Sequence, residues 1–312
     1  MRIEYHRTLI ADRVRIEAFN EALSRVVQKG KTTVADIGTG TGLLAFLAAK
    51  LGAKKVYAYE TAEIGAVAER LKALNRMKAV ELIPGSSTEI IEPVRVDVVV
   101  TETLGNFALE EFLVETMNDA RARHLKPGGV LIPGLVEQFA CPVVGPRLRE
   151  ELTAWDRVGY GLDLGPARDM SLNNVYIRTL QPAELLDDGR AAQRWDRVDF
   201  AVKNRLARRG EMSWQLTAPA TVYGLAVWWT AELVPGVSLT TSPLAVATHW
   251  EQLFFPALEP IKIKAGETLN AEIRSRSSEE GGTDMAWTFA VTDKKGVVRD
   301  RQALSLSKGF LP

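Results

Sequence analysis

Apolar and polar residues follow different patterns in the two halves of the chain, and the first half predicts a parallel sheet. Short apolar runs typical of buried strands occur in TTVADIG, KKVYAYE, AVELIPG and VDVVV, and two of the intervening segments, LLAFLAAKLG and TAEIGAVAERLKALNR, have helical periodicity. Strands that alternate with helices are typical of a doubly wound α/β fold. We therefore predict such a domain over residues 1–134, which ends in the segment LKPGGVLIPG.

The second half predicts an antiparallel β domain over residues 135–312. Its segments TVYGLAVWWTAEL, EQLFFPAL, IKIKAGETLNAEI and MAWTFAV mix strand-like alternation with turn residues and lack a helical period. All seven tryptophans lie beyond residue 150. These features are typical of a barrel or a sandwich that follows the α/β domain.

The composition excludes several classes of protein and of site. The 312 residues include 39 basic and 39 acidic residues, so the net charge is zero and gives no general affinity for nucleic acid or anionic lipid. The single cysteine excludes an intrachain disulfide and a cysteine metal cluster, and we expect no metal. No apolar run reaches the ~18 residues of a membrane span, and the N-terminal segment is too charged for a signal peptide, so we expect a cytoplasmic protein.

The segment VADIGTGTG predicts a ligand-binding loop at the carboxyl edge of the sheet. A strand that ends at Asp36 is followed by Gly38, Gly40 and Gly42, which allow a tight turn and close approach to a ligand. The third glycine follows the second by two positions instead of three, which disfavours a dinucleotide pyrophosphate. Glu60 ends the next strand, where it could bind both ribose hydroxyls of a nucleoside such as S-adenosylmethionine. Alternatively, the glycines only make a turn and the glutamate is a solvated strand end.

Two acidic residues flank the loop in DVVVTETLGNFALEE. Glu102 follows the predicted strand, and Glu111 lies nine positions later, where the chain enters a helix after a turn at Gly105. Both carboxylates could therefore face one cleft. Taken alone, such a pair is more often structural than functional, since acids near a helix start are favoured by the helix dipole.

These motifs, followed downstream by THWEQLFFPALEPIKIKAGETL, resemble the protein arginine methyltransferase family along nearly the whole chain. The resemblance implies a Rossmann-like methyltransferase domain, an antiparallel β-barrel domain with a dimerisation arm, and S-adenosylmethionine as cofactor. It also implies that Glu102 and Glu111 are the paired glutamates that bind the substrate. Thr248, His249 and Trp250 resemble the β-domain loop that closes the pocket.

The same resemblance implies roles for residues near the N-terminus and after the third predicted strand. Arg7 matches the arginine that holds the cofactor carboxylate, and Glu4 matches the acid that orients the loop histidine. Thr88 matches the adenine contact, with Glu89 as an open alternative, and Ser87 beside it is a further expected cofactor contact.

Other positions depart from the family pattern or match nothing in it. Thr103 and Asn106 replace an aromatic pair that the family usually carries between the two glutamates, which would make the arginine channel less aromatic. His6 and His124 match no functional position, and we expect them to be structural.

A pair of glutamates suits a guanidinium chemically. The planar cation presents a fork of donors that two carboxylates can hold bidentately, and its charge is neutralised in a closed site. A terminal nitrogen can then attack a sulfonium methyl held in line, and a glutamate or His249 could accept the proton. We therefore expect arginine N-methylation of a protein or peptide. Two alternatives stay open, which are methylation of a small guanidino or amino metabolite and a binding scaffold with little catalysis.

Residues 151–174 lie where the family inserts an arm that docks on a partner subunit. Apolar residues stand among polar ones there and could anchor such a contact, namely Trp155, Tyr160, Leu162 and Leu164. We expect a homodimer. The alternative is a surface excursion that packs on its own chain.

Overall fold

The computed structural model describes residues 3–309, and the first half of the chain contains a five-stranded parallel sheet. Its strands are β1 (Thr33–Ile37), β2 (Lys55–Glu60), β3 (Val80–Pro84), β4 (Val96–Thr101) and β5 (Leu125–Ile132). They lie in the order β3-β2-β1-β4-β5, and each neighbouring pair is parallel. The first four strands match the apolar runs of the sequence. The segment LKPGGVLIPG, near which the sequence predicts the domain boundary, contains the whole of β5.

Helices connect these strands as the alternating pattern predicts. The connections are α3 (Leu43–Lys50) between β1 and β2, α4 (Gly65–Leu74) between β2 and β3, and α5 (Leu113–Asp119) between β4 and β5. A π-helix at Ala120–His124 continues α5 up to the start of β5. The predicted Rossmann-like fold is therefore confirmed for this part of the chain.

Two helices that the sequence analysis did not predict precede the sheet. They are α1 (Ile3–Ala11) and α2 (Arg13–Val26). The side chain of Asp12 caps α2 by accepting a hydrogen bond of 2.9 Å from the backbone N–H of Arg15. Buried residues recur along α2 at helical spacing and face the core of the α/β domain, and these are Phe19, Ala22 and Leu23.

The strand order brings the ends of β1, β2 and β4 together at one edge. Ile37, the last residue of β1, pairs with Tyr59 of β2 on one side and with Thr101 of β4 on the other. The hydroxyl of Thr101 donates to the carbonyl of Ile37 at 2.8 Å and fixes this junction. The order of the strands reverses between β1 and β4, and open α/β sheets bind ligands at such a point.

The second half of the chain forms two antiparallel sheets, as predicted. One has the order β7-β12-β10-β6-β8, with β11 paired to β10, and the other has the order β15-β14-β13-β9. The strands of the first sheet are β6 (Leu135–Val143), β7 (Tyr176–Arg178), β8 (Gln193–Asp199), β10 (Ala220–Val234), β11 (Val237–Thr240) and β12 (Gln252–Ile263). Those of the second are β9 (Ala207–Gln215), β13 (Thr268–Ser278), β14 (Gly282–Thr292) and β15 (Val298–Ser305). The helices α6 (Arg147–Leu152) and α7 (Gly165–Leu172) lie between β6 and β7.

The chain divides into two compact units that resemble the two predicted domains but interleave along the sequence. The first unit extends to Val136 and includes the later segments Val198–Asn204 and Thr230–Thr240. The second unit contains Glu137–Arg197, Arg205–Trp229 and the chain from Thr241 onward. A single boundary at residue 134 stays a prediction.

None of the helices within residues 3–309 has the length and hydropathy needed to cross a bilayer.

Phe19 should be essential for the stability of the first unit. Its side chain is fully buried, so Phe19→Ala should lower the free energy of unfolding by about 3–5 kcal/mol through lost contacts and an unfilled cavity. Denaturant unfolding monitored by circular dichroism measures this loss. Leu74→Ala provides a control, because Leu74 is 72% exposed and its truncation should change stability by less than about 0.5 kcal/mol. Equal effects of the two substitutions would contradict the proposed core.

Candidate active site

The glycine loop between β1 and α3 has a backbone that side chains would obstruct. Gly38, Gly40 and Gly42 have φ angles of +71°, +57° and +87°, in the left-handed region. A Cβ on Gly38 would lie 2.9 Å from the methyl group of Thr103, and one on Gly42 would lie 2.5 Å from the ring of Phe46. Glycine is therefore required at both positions by conformation and by space.

The buried side chain of Asp36 accepts hydrogen bonds from the glycine loop and from the start of α3. Its Oδ2 accepts hydrogen bonds from the hydroxyl of Thr39 at 2.5 Å and from the N–H of Ala45 at 2.9 Å. The residue is 1% exposed, and burial raises the pKa of its carboxyl to about 6. Its other oxygen, Oδ1, has no hydrogen-bond partner among residues 3–309. Asp36 thus supports the loop and keeps one acceptor available within it.

Glu60 lies at the end of β2 and contacts the same loop. Its two oxygens accept hydrogen bonds of 2.8 Å from the N–H groups of Gly40 and Ala62. A cavity of about 760 Å³ adjoins the carboxylate, with a wall that includes Ala58 and Leu82. An acidic acceptor beside a partly apolar cavity suits a nucleoside, whose ribose is polar and whose base is flat and apolar.

Ser87 and Thr88, the predicted cofactor contacts, lie in the loop after β3. Ser87 is 3% exposed. The hydroxyl groups of Ser86 and Thr88 are 2.7 Å apart and share a hydrogen bond. The backbone N–H of Gly85 donates to the carbonyl of Glu60 at 2.9 Å, which joins the start of this loop to the end of β2.

Glu102 follows β4 and binds a guanidinium that belongs to the chain itself. Arg15 donates to its Oε2 through Nε at 2.6 Å and also through Nη2. The side chains of Arg15 and Glu102 are only 8% and 6% exposed, and Nη1 of Arg15 donates to the carbonyl of Leu9 at 3.2 Å. Burial raises the pKa of Glu102 to about 7, against the lowering influence of Arg15. This carboxylate is therefore buried and already shaped around a guanidinium.

Sequence analysis missed Arg15, although α2 contains a signal for it. Arg13 and Arg15 both lie in the first turn of α2, which contains no acidic residue. Cations are unfavourable at a helix N-terminus because they face the positive end of the helix dipole. An arginine in that position therefore indicates a specific partner, and here the partner is Glu102, which lies 87 positions away in sequence.

Glu111 lies within electrostatic reach of Glu102, as the sequence predicts. The negative charge of Glu111 contributes to the raised pKa of Glu102, and partial desolvation raises the pKa of Glu111 itself. Desolvation also raises the pKa of Tyr5 on α1, with further contributions from Glu111, Glu102 and Glu110 in that order. One phenol and three carboxyl groups therefore share one region of the first unit.

Glu110 closes the loop between the two predicted glutamates, a role that sequence analysis did not identify. Its Oε1 accepts a hydrogen bond of 2.8 Å from the N–H of Asn106. A Cβ on Gly105 would lie 1.9 Å from the same oxygen, so the loop can close only over a glycine. Burial raises the pKa of Glu110.

The N-terminal helix α1 places His6, and not the predicted residues, against the glycine loop. A Cβ on Gly40 would lie 3.3 Å from Cε1 of His6, and burial lowers the pKa of this imidazole. Its Nε2 is buried without a hydrogen-bond partner among residues 3–309. Arg7 and Glu4 are exposed on α1, and their roles in cofactor and histidine binding stay predictions.

The predicted loop Thr248–Trp250 lies in the second unit. Trp250 is 4% exposed, and its ring packs edge-on against Trp229 with centroids 5.0 Å apart. The ring of His249 lies against Trp250 at 3.9 Å, and the hydroxyl of Thr248 donates to the Trp250 carbonyl at 3.3 Å. Trp250 therefore anchors the loop within the second unit. The functions predicted for the three residues stay predictions.

Two family models match the chain and together cover most of it. The model described as Ribosomal protein L11 methyltransferase matches residues 19–145. The model described as Arginine methyltransferase oligomerization subdomain matches residues 137–294. His, Cys, Asp and Glu residues do not form a group able to hold a metal within the described residues.

The chain is also similar to curated proteins and solved structures that are named as protein arginine methyltransferases. The chain is 30% identical to protein arginine N-methyltransferase PRMT10 of Arabidopsis thaliana, covering 88% of this chain and 81% of that protein. It is 28% identical to protein arginine N-methyltransferase 1 of Dictyostelium discoideum, covering 90% of this chain and 84% of that protein. The fold matches the Trypanosoma brucei PRMT1 enzyme-prozyme heterotetrameric complex with AdoHcy, with a TM-score of 0.83 and 22% identity over 97% of this chain and 98% of that chain.

The raised carboxyl pKa values predict that stability decreases as pH rises. Burial raises the pKa of Asp36 to about 6 and that of Glu102 to about 7, so the folded protein binds these protons more tightly than the unfolded chain. The free energy of unfolding should therefore fall between about pH 4, near the pKa values of the unfolded chain, and about pH 7, on the order of 1.4 kcal/mol for each unit of pKa difference. Urea unfolding at a series of pH values measures this slope.

Single substitutions show which carboxyl groups cause the pH dependence of the free energy of unfolding. Glu102→Gln removes one of the carboxyl groups whose pKa is raised and should make the decrease in stability with pH less steep, whatever it does to absolute stability. Glu115→Gln, on α5, should leave the slope unchanged. A free energy of unfolding that stays constant or rises over this pH range would contradict the assignment.

Proposed function

Because the chain belongs to the protein arginine N-methyltransferase family, we propose that it methylates a guanidino nitrogen of arginine in a protein or peptide. The observation that carries this proposal is the pairing of Glu102 with the guanidinium of Arg15 beside the glycine loop. A carboxylate that is 6% exposed and binds one guanidinium has the chemistry required to bind another. The relatives are named as protein arginine methyltransferases, so methylation of a small metabolite is not favoured.

The residues of the first unit fit S-adenosylmethionine, which supplies a methyl group on a positively charged sulfur. Glu60 would accept hydrogen bonds from the ribose hydroxyls, and the open backbone at Gly38 would allow the cofactor to approach. Ser87 and Thr88 would contact the base from the adjoining loop. The acceptor Oδ1 of Asp36, which is buried without a partner, further suits a ligand that brings hydrogen-bond donors.

Arg15 suits the cofactor carboxylate better than Arg7 does. Arg15 is buried and lies close enough to Asp36 to lower the pKa of that carboxyl, whereas Arg7 is exposed. A buried guanidinium with several donors can bind a carboxylate while it still contacts Glu102. Arg15 would then connect the bound cofactor to the residue that binds the substrate.

Catalysis in this site would rest on orientation and electrostatics. Glu102 and Glu111 would hold the substrate guanidinium so that one terminal nitrogen faces the methyl group. Burial strengthens this attraction because water does not screen it. Either glutamate, or His249 of the second unit, could accept the proton that leaves the nitrogen. The phenol of Tyr5 would form part of the substrate surface that Thr103 and Asn106 leave without aromatic residues.

Neutral substitutions of the paired glutamates should strongly slow methyl transfer. Cofactor binding should persist in Glu111→Gln, whereas Glu102→Gln removes the partner of Arg15 and should also weaken cofactor binding. Glu102→Gln and Glu111→Gln each replace an acceptor with a donor that faces the substrate's own donors. Loss of such a buried charged contact costs on the order of 2–5 kcal/mol, so the rate on an arginine peptide should fall tens-fold to thousands-fold. Transfer of labelled methyl groups measures the rate, and calorimetry with S-adenosylhomocysteine measures cofactor affinity.

The controls test the two kinds of acid separately. Glu60→Gln should weaken cofactor binding, and Glu115→Gln should change neither rate nor affinity. A peptide with lysine in place of arginine should be a poor substrate, because an ammonium cannot contact two carboxylates as a planar fork does. Near wild-type rates in both paired variants, or equal methylation of lysine, would exclude a guanidinium clamp.

We further propose that the protein forms a homodimer through residues 151–174. The first part of this segment exposes apolar side chains, with Trp155 40%, Tyr160 94% and Leu162 64% exposed. The second part packs on its own unit, where Leu172 is fully buried and Arg168 pairs with Glu259. Exposed aromatic and aliphatic residues on a supported segment are suited to binding a second subunit. The matching family model is described as an oligomerization subdomain.

Substitution of the exposed residues should yield a monomer. Tyr160→Ala combined with Leu162→Ala removes the largest exposed apolar surface of the segment without affecting its buried part. Light scattering at micromolar concentration should report a dimer for the wild type and a monomer for the double variant. Leu244→Ala with Val246→Ala is the control, because these residues are 52% and 74% exposed elsewhere in the same unit. A wild-type monomer, or a dimer unaffected by the first pair, would exclude this interface.

The cytoplasm remains the proposed compartment. The support is the single cysteine, Cys141, which is buried and whose pKa is raised by burial to about 12. With equal numbers of basic and acidic residues, no nucleic-acid partner is proposed.

A further inference from the structure

Arg123 lies in the π-helix that follows α5 and has a fixed orientation. Its Nε and Nη2 donate to the two carboxylate oxygens of Asp119 at 2.6 and 3.0 Å. Asp119 is the last residue of α5, four positions before Arg123. A bidentate pair of this kind restrains the planar guanidinium and leaves its remaining donors directed at other acceptors.

The remaining donors of Arg123 bind the backbone of the loop after β3. Nη1 donates to the carbonyl of Ile90 at 2.5 Å, and Nη2 donates to the carbonyls of Ser87 and Thr88 at 3.0 and 2.8 Å. One side chain therefore binds three carbonyl groups within four residues. The guanidinium is about one-third exposed, so these hydrogen bonds and not core packing are its main contribution.

His124 adds a second contact from the neighbouring position. Its Nε2 lies 3.0 Å from the carbonyl of Ser87, which makes this nitrogen the donor. The imidazole is fully buried, its pKa is lowered by burial, and its ring packs edge-on against Tyr59 at 5.3 Å. Consecutive residues of a regular helix point in directions about 100° apart, whereas here both contact one loop. Both residues belong to the π-helix, a rare element that is frequent at functional sites.

The other end of the same loop is joined to Glu60. The N–H of Gly85 donates to the Glu60 carbonyl, and the carboxylate of Glu60 accepts from the glycine loop. The proposed ribose contact and the proposed adenine contacts thus belong to one connected framework. Gly85 joins the start of this loop to Glu60, and Arg123 and His124 bind its later residues.

We propose that Arg123 and His124 are positioning residues for the adenine ring of the cofactor, an inference that rests on the proposed function. They bind the carbonyl groups of Ser87, Thr88 and Ile90 and thereby fix the backbone and side chains that read the base. Neither residue touches the reacting atoms. Their loss should therefore weaken cofactor binding and base discrimination without slowing methyl transfer at saturating cofactor.

Two ligands that differ only in the base test this role. S-adenosylhomocysteine carries an amino group at position 6, and S-inosylhomocysteine carries an oxo group there. Arg123→Met keeps the aliphatic stem and should weaken S-adenosylhomocysteine about ten-fold while it reduces the preference over the inosine analogue. Arg123→Lys should recover part of the affinity, because one ammonium cannot bind three carbonyls at once. His124→Phe keeps the ring against Tyr59, loses one donor and should weaken binding about three-fold.

Arg25→Met is the matched control for Arg123→Met. Arg25 also pairs with an acid four positions earlier, Glu21, and donates to a backbone carbonyl, that of Pro235, but it lies on α2. This variant should bind both ligands as the wild type does. Thermal melting confirms that each variant is folded. In methyl-transfer kinetics the Arg123 and His124 variants should show a higher KM for the cofactor with an unchanged kcat, and Arg25→Met should match the wild type.

The outcomes separate this inference from the proposed function. Wild-type affinity in folded Arg123→Lys and His124→Phe, or an equal loss for both ligands in every variant, would overturn the positioning role while leaving the enzyme assignment intact. A wild-type protein that binds neither ligand would overturn the proposed function and this inference together. If Arg123→Met does not fold, Arg123→Lys and His124→Phe still decide the question.

Discussion

The buried ion pair between Arg15 and Glu102 is the constraint on which the site depends. Both side chains are less than 10% exposed, so each charge has lost most of its water and needs the other for compensation. Removal of either partner would leave an isolated buried charge, a far larger penalty than the loss of a surface ion pair. The pair joins the start of α2 to the end of β4, and it fixes Glu102 beside the glycine loop.

The sequence predicted those features that local patterns determine. The strands β1 to β4 appeared as apolar runs, and the glycine spacing with Glu60 at the next strand end indicated a nucleoside site. Sheet topology then explains why these motifs meet, because β1 lies between β2 and β4. Periodicity and turn chemistry therefore predict the alternating core of the fold and the edge of the sheet that carries the glycine loop, but not α1, α2 or β5.

The remaining features depend on contacts that no local pattern reveals. Arg15 meets Glu102 across 87 positions, and Glu110 becomes a loop closure only because Gly105 leaves room for its carboxylate. His6 matched no functional position of the family, and only the tertiary structure shows that its ring lies beside Gly40. Family resemblance drew attention to Arg7, which is exposed, whereas the burial of Arg15 is visible only in the structure. These contacts and this burial follow from the tertiary structure, so a local sequence pattern could not reveal them.

The carboxylate of Glu60 also occupies a backbone donor that could otherwise bind a phosphate. Backbone N–H groups at the N-terminus of a helix commonly attract phosphate, but here the N–H of Gly40 donates to Glu60. The Glu60 carboxylate therefore presents negative charge at a position where a polyphosphate would need hydrogen-bond donors. ATP and NAD share the adenosine portion of S-adenosylmethionine, and they differ from it chiefly in their phosphates. A site with this arrangement would select among adenosine compounds by electrostatic rejection of phosphate as well as by recognition of the nucleoside.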